Sequence, residues 1–144
     1  MPSDPDAPLV LVVEDDEAVA AAERDILTDE GYRVAVLPSA DLPTVTQLAP
    51  SLILLDVVIN GTASGWDLLR ALKTDPATTQ IPILVVTAAS AREIAAVQTE
   101  LDTWDCTVLA KPFDLDEFVT AARTRLTTSP AGESVDSSQD GLAG

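Results

Sequence analysis

The chain has 144 residues, 47% of them apolar, which suits a single domain with a substantial hydrophobic core. Lysine and arginine total 8 against 24 acidic residues, and the resulting charge of −16 repels nucleic-acid phosphates and anionic lipid. The lack of histidine excludes His-based triads and imidazole metal sites, and the single cysteine, Cys106, excludes an internal disulfide.

The acidic, proline-broken start Met1-Pro2-Ser3-Asp4-Pro5-Asp6 is the opposite of a secretory signal, and residues 1–8 read as a tail. Leu9 to Val13 is a continuous apolar run, the mark of a strand buried on both faces and far too short to cross a bilayer. A cytoplasmic location is the expectation. Asp16 to Asp29 is a helix with Val19, Glu23, Ile26 and Leu27 on its stripe, stopping at Gly31. Arg33 to Leu37 is the second strand, Ser39 to Leu48 a short helix whose start Pro43 disturbs, and Leu52 to Leu55 the third strand.

Gly65 to Lys73 carries Trp66, Leu69 and Leu72 at helical spacing. Ile83 to Val86 forms a fourth strand ending at Thr87. A helix from Ala91 to Leu101 follows, with Ile94, Val97 and Leu101 three and four residues apart. Thr107 to Ala110 is the fifth strand. The last helix, Leu115 to Leu126, opens on a capping-box-like Asp114 and Glu117. Residues 127–144 hold too little apolar surface to offset their ordering entropy and read as a disordered acidic tail. Trp66, Phe118 and Cys106 read as core residues. Alternating strands and helices predict one doubly wound α/β domain over residues 9–126, with a five-stranded parallel sheet covered on both faces.

The polar residues that interrupt the apolar runs share one position. Glu14 and Asp15 end the first strand, Asp56 the third, Thr87 the fourth and Lys111 the fifth. With strand order 2-1-3-4-5 they converge at the carboxyl ends of the strands, where open α/β sheets bind ligands. Three carboxylates held together repel unless a cation joins them, and an all-oxygen site suits Mg2+. Asp56 is placed as a nucleophile able to form an aspartyl phosphate, with Thr87 and Lys111 spreading the phosphoryl charge. Each residue alone has a plainer reading: a charged helix entrance for residues 14–16, a strand-end turn for Asp56, a cap for Thr87, a solvated cation for Lys111.

Together, Val12-Val13-Glu14-Asp15-Asp16, Leu52-Ile53-Leu54-Leu55-Asp56, Val85-Val86-Thr87-Ala88 and Lys111-Pro112-Phe113 resemble the response-regulator receiver domain of two-component signalling. The resemblance implies a flavodoxin-like fold and a phosphoaccepting switch rather than an enzyme with an external product. It implies that Asp56 takes phosphate from a sensor histidine kinase or a histidine phosphotransfer protein. Asp15 is then a direct Mg2+ ligand, Glu14 acts mainly through a water, and the Val58 carbonyl completes the set. Thr87 hydrogen-bonds the phosphoryl oxygens, Lys111 pairs with them, and the Lys111–Pro112 bond is cis. Docking of the phosphodonor falls to Ala18, Val19, Ala22 and Phe113.

Three departures qualify the match. Asn60 stands where such domains usually carry proline, in a loop one residue longer than usual. Val108 stands where most carry an aromatic that swings inward on activation. Only the tail follows the domain, which implies output by protein–protein contact or onward phosphotransfer to an unknown downstream protein, with no nucleic acid or membrane partner. The competing readings are a receiver-like interaction module independent of phosphorylation and an aspartate-nucleophile phosphohydrolase. The phosphohydrolase lacks its second acid, since Val58 lies two residues past Asp56. Nucleotide binding has no glycine-rich phosphate loop to support it.

Overall fold

The computed structural model describes residues 7–57, 64–88, 90–111 and 113–127. Strands β1 (Leu9–Val13), β2 (Arg33–Leu37), β3 (Leu52–Leu55), β4 (Ile83–Thr87) and β5 (Thr107–Ala110) form a parallel sheet in the order β2-β1-β3-β4-β5. The helices among the described residues are α1 (Glu17–Asp29), α2 (Leu42–Leu48), α3 (Ser64–Thr74), α4 (Ala91–Ala96), α5 (Gln98–Thr103) and α6 (Leu115–Thr127). This is the doubly wound, flavodoxin-like arrangement expected from the alternation.

The central strands are apolar throughout, up to Thr87 at the end of β4, because both faces are covered. Leu11, Val13, Ile53, Leu55, Ile83 and Val85 point to one face, where Val45 of α2, Leu69 and Leu72 of α3 and Leu101 of α5 meet them. Their alternates Val10, Val12, Leu52, Leu54, Leu84 and Val86 point to the other, under Leu27 of α1 and Phe118 and Ala122 of α6. Phe118 is fully buried, as its stripe position suggested, while Trp66 is half-buried against the first cluster. Cys106 is also only half-buried, because it enters β5 at the edge of the sheet.

Beyond shifts of one or two residues at the ends of other elements, the structure differs from the sequence reading in the following boundaries. Ala7 and Pro8, expected in the tail, join the fold: Ala7 is buried, and Arg33 donates from Nε to the Ala7 carbonyl and from its amide to the Pro8 carbonyl. Helix α2 starts at Leu42 rather than Ser39, with Asp41 as its cap and Pro43 in the first turn, where its missing N–H costs nothing. The predicted Ala91–Leu101 helix is broken at Val97, whose φ of −117° and ψ of 13° leave the helical range. Ile94, Val97 and Leu101 nevertheless all pack in the first core cluster, as their spacing suggested. Helix α6 runs one residue further, to Thr127.

One lysine has a structural role that the sequence did not signal. Lys73 is buried, and its Nζ donates to the carbonyls of Thr79 and Ile81 at 3.3 and 2.9 Å, tying the end of α3 to the segment entering β4. Burial lowers its pKa, as expected for an ammonium taken from water toward carbonyl dipoles.

Candidate functional site

Register alone brings the interrupting residues together. Val13 faces Leu55 across β1 and β3, so the next residues, Glu14 and Asp56, emerge side by side. The Asp56 amide donates to the Val13 carbonyl at 3.1 Å, carrying the sheet's bonding one residue past the strands. Thr87 faces Ala110 across β4 and β5, and the Lys111 amide donates to the Thr87 carbonyl at 2.9 Å. Side-chain periodicity then continues the face of Val12, Leu54 and Leu109 into Glu14, Asp56 and Lys111, which meet in one crevice at the strand ends, beside the point where sheet order reverses.

Lys111 Nζ spans the crevice, donating to Glu14 Oε1 at 2.7 Å and to Asp56 Oδ2 at 3.2 Å. Carboxylate oxygens of Glu14, Asp15 and Asp56 lie within 4.8 Å of one another. Glu14 and Asp56 are buried, Asp15 is half-buried, and Thr87 is fully buried at the end of β4. Asp16 takes a different role: its Oδ1 accepts from the amides of Ala18 and Val19 and caps α1. The charged-helix-entrance reading thus holds for Asp16, while Glu14 turns inward. Val58, Asn60, Gly61 and the Lys111–Pro112 bond lie outside the described residues.

The electrostatics follow from burying like charges around one cation. Burial raises the Glu14 pKa, while its bonds from Lys111 and the Asp16 amide oppose the rise. For Lys111 burial disfavours the charged form, but the hydrogen bond to Glu14 and the charge of Asp56 outweigh it and hold the pKa above the usual lysine value. The donors are hard oxygens, among the described residues without nitrogen or sulfur, and they fit Mg2+ better than a soft metal.

Replacing Lys111 by alanine leaves Glu14 and Asp56 buried without their shared counter-charge. In the presence of a chelator the variant is expected to lose roughly 3 kcal/mol of stability. Millimolar Mg2+ is expected to restore more of that loss than it adds to wild type, read by thermal unfolding. Equal Mg2+ stabilisation of both chains would separate Lys111 from the metal site.

Two contributors escaped the sequence reading. Gly65, at the start of α3, presses against the backbone that follows Asp56: a Cβ there would lie 2.3 Å from Val57 Cα and 2.7 Å from the Asp56 carbonyl oxygen. A glycine opening a helix was the available signal. The second is Glu23, which is only 2% exposed on the inner face of α1, between the turns of Ala20 and Leu27. Its signal was a charged residue on an otherwise apolar stripe. Burial first, and then the charge of Glu14, raise its pKa to about 7, Lys111 opposing and Asp56 adding to the rise.

The folded chain therefore keeps a proton on Glu23 that the unfolded chain releases at ordinary carboxylate pH. Glu23 costs little below about pH 4.5, and its cost grows as pH rises toward 7, reaching about 3 kcal/mol at most. Glu23→Leu is expected to gain stability over wild type progressively across that window and to hold a constant gain above it. Denaturant melts at pH 5 and pH 8 check this, and an equal difference at both would remove Glu23 from the pH dependence.

Ala18, Val19, Ala22 and Phe113, nominated for docking, all line one groove of about 540 Å³ between α1 and the segment after β5. Lys111 forms part of its wall and links it to the acidic crevice. Phe113 is held in place by stacking on Phe118, with ring centroids 5.0 Å apart.

A parallel β2-β1-β3-β4-β5 sheet with paired carboxylates, a threonine and a lysine at its strand ends defines a receiver-type signalling domain. The family described as response regulator receiver domain matches residues 10–123, and the chain belongs to it. It is 34% identical over 119 residues to the DNA-binding response regulator MtrA of Mycolicibacterium smegmatis, covering 81% of this chain and 50% of that protein. It is 36% identical over 123 residues to the response regulator PleD of Caulobacter vibrioides, covering 83% of this chain and 26% of that one. The chain thus spans half or less of the length of these curated relatives. Among solved structures, NtrX from Brucella abortus superposes with a TM-score of 0.69 at 26% identity, covering 85% of this chain and 28% of that one. The signal receiver domain of a histidine kinase from Syntrophus aciditrophicus shares the fold with a TM-score of 0.72 at 24% identity, covering 92% and 99%. Receiver domains are signalling proteins of two-component systems. Among the described residues no helix is long and apolar enough to cross a membrane.

Proposed function

We propose that this chain is a Mg2+-dependent aspartyl-phosphate switch in which Asp56 accepts a phosphoryl group from a phosphohistidine of a sensor kinase or phosphotransfer protein. The observation that carries this reading is the contact of Lys111 Nζ with both Glu14 and Asp56 in a crevice that also gathers Asp15. An Asp56 carboxylate oxygen attacks phosphorus, the phosphorus–nitrogen bond breaks, and its electron pair leaves with the donor imidazole. Asp15 and Asp56, with Glu14 beside them, would hold Mg2+, which would supply positive charge toward the phosphoryl oxygens. Lys111 already lies 3.2 Å from Asp56 Oδ2 and passes from carboxylate to phosphoryl oxygen with a small displacement. In this reading Thr87, at the end of the neighbouring strand β4, donates its hydroxyl to a second phosphoryl oxygen. Positioning and charge neutralisation supply most of the catalysis.

Output is by protein–protein contact or onward phosphotransfer. Val108 sits half-buried on β5, paired in register with Val85, and a short β-branched side chain there has no ring to swing inward. The readout in this proposal is backbone movement at the end of β4, around Ala88, which is exposed beside the groove.

The test is incubation with acetyl phosphate, with and without Mg2+, read by intact mass. One phosphoryl adduct that forms only with Mg2+ is the expected result. An adduct formed equally with a chelator present would overturn the metal's role. Failure of a cognate kinase, as well as acetyl phosphate, to label the chain would favour an interaction module that works without phosphate.

A further inference from the structure

The groove beside the acidic crevice contains a group that phosphoryl transfer does not use. Its walls are apolar, formed by Val19, Ala22, Ile26 and Phe113, with Lys111 and Glu23 as its charged members. Glu23 lies at the floor, 2% exposed, and its Oε2 is buried without a hydrogen-bond partner. Such an oxygen has given up its water without gaining a donor in return, which is destabilising. Leucine at this inward-facing position between Ala20 and Leu27 would avoid that cost, and a donor seated in the groove would remove it.

The charges facing Glu23 identify that partner. Glu14 arrives from the end of β1, Asp56 from the end of β3 and Lys111 from the end of β5. Lys111 is already committed to Glu14 and Asp56, so it leaves an ionised Glu23 without a counter-charge of its own. The chain as a whole, at −16, attracts basic surfaces over longer range. A long aliphatic stem ending in a cation satisfies both the apolar walls and the acid beneath them. Ala18 and Ala22 at the rim leave room for the stem.

We propose that Glu23 makes this groove a receptor for one basic side chain, arginine or lysine, presented by the protein that docks on α1. The proposal rests on the reading of this face as a protein-docking surface and adds the residue that selects the partner. Glu23 is a specificity residue, outside the chemistry at Asp56. Its raised pKa is consistent with an acid whose neighbours are mostly negative, and a seated cation is expected to draw it down.

The probes are N-butylguanidinium and its neutral isostere N-butylurea, titrated into the full chain with Mg2+ present to occupy the acidic crevice. Amide NMR shifts are read for wild type, Glu23→Gln and Glu23→Leu. On wild type the guanidinium is expected to move the amides around Ala22, Glu23, Ile26 and Phe113 and to bind roughly tenfold more tightly than the urea. In both variants the two affinities are expected to converge. Equal affinities on wild type overturn the proposal, as does a guanidinium preference that survives both substitutions. Shifts confined to residues 14, 15 and 56 overturn it too, because the cation is then a surrogate for the metal. Acetyl phosphate labelling of the same wild-type sample reports the acceptor reading separately, so failure of one is distinguishable from failure of the other.

Discussion

Asp56→Asn is expected to abolish labelling by acetyl phosphate completely while leaving the fold intact. The amide oxygen of asparagine is a far weaker nucleophile than a carboxylate, and its attack on phosphorus yields no stable product. The surroundings tolerate the change. Lys111 keeps its 2.7 Å bond to Glu14, and loss of the negative charge on Asp56 relieves repulsion among buried acids. The oxygen of the substituted side-chain amide still accepts from Lys111 when the amide is turned toward it. Thermal unfolding in a chelator is therefore expected to match wild type or rise slightly, and Mg2+ is expected to stabilise the variant less. An adduct of equal yield on the variant, located elsewhere by peptide mapping, would transfer the acceptor role to another carboxylate.

Gly65→Ala is expected to be the most damaging small substitution in the domain. The added methyl would lie 2.3 Å from Val57 Cα, 2.8 Å from the Val57 carbonyl carbon and 2.7 Å from the Asp56 carbonyl oxygen. All three are backbone atoms, so no side-chain rotation relieves the overlap. The Gly65 amide donates to the Val57 carbonyl at 3.0 Å and fixes α3 at this close approach. Either α3 withdraws from the sheet, opening the packing of Leu69 and Leu72, or the backbone at Asp56 and Val57 shifts. Overpacking against backbone of this kind costs about 3 kcal/mol. A slower rate of acetyl phosphate labelling is expected even below the unfolding temperature, because the acceptor carboxylate moves with its backbone. Equal stability and equal labelling rate would show that the α3 start is displaced at no cost. The same experiment on Gly31→Ala provides a contrast, since that site has φ of 95° and open space around it, and strain there is local to the turn after α1.

Much of the candidate site was legible because it depends on a few local rules. Apolar runs of four or five residues bounded by polar ones mark buried parallel strands, and the residue that ends each run must lie at a strand end. Glu14, Asp15, Asp56, Thr87 and Lys111 were assigned to strand ends by that rule, and the structure gathers Glu14, Asp15, Asp56 and Lys111 in one crevice, with Thr87 at the end of β4. The docking residues Ala18, Val19, Ala22 and Phe113 came from resemblance alone, and the tertiary structure gathers them on one groove. Asp16 shows the limit of local reading: three consecutive acids look alike in sequence, and only the helix start separates the cap from its inward-facing neighbour.

The number of strands and the polar residues at their ends follow from a one-dimensional pattern, because burial on both faces of a parallel sheet leaves few alternatives for where polar residues sit. That pattern determined the α/β class and the candidate residues, the four motifs gave the resemblance to the family, and strand register and the contact of two acids with one lysine came from the tertiary structure. The pattern could not determine which residues of different elements approach without a periodic signal. The 2.3 Å clearance at Gly65, the break at Val97, the tether made by Lys73 and the unpartnered oxygen of Glu23 each depend on the distance between elements far apart in sequence. Those distances are set by packing of whole side-chain layers, and only the tertiary structure decides them.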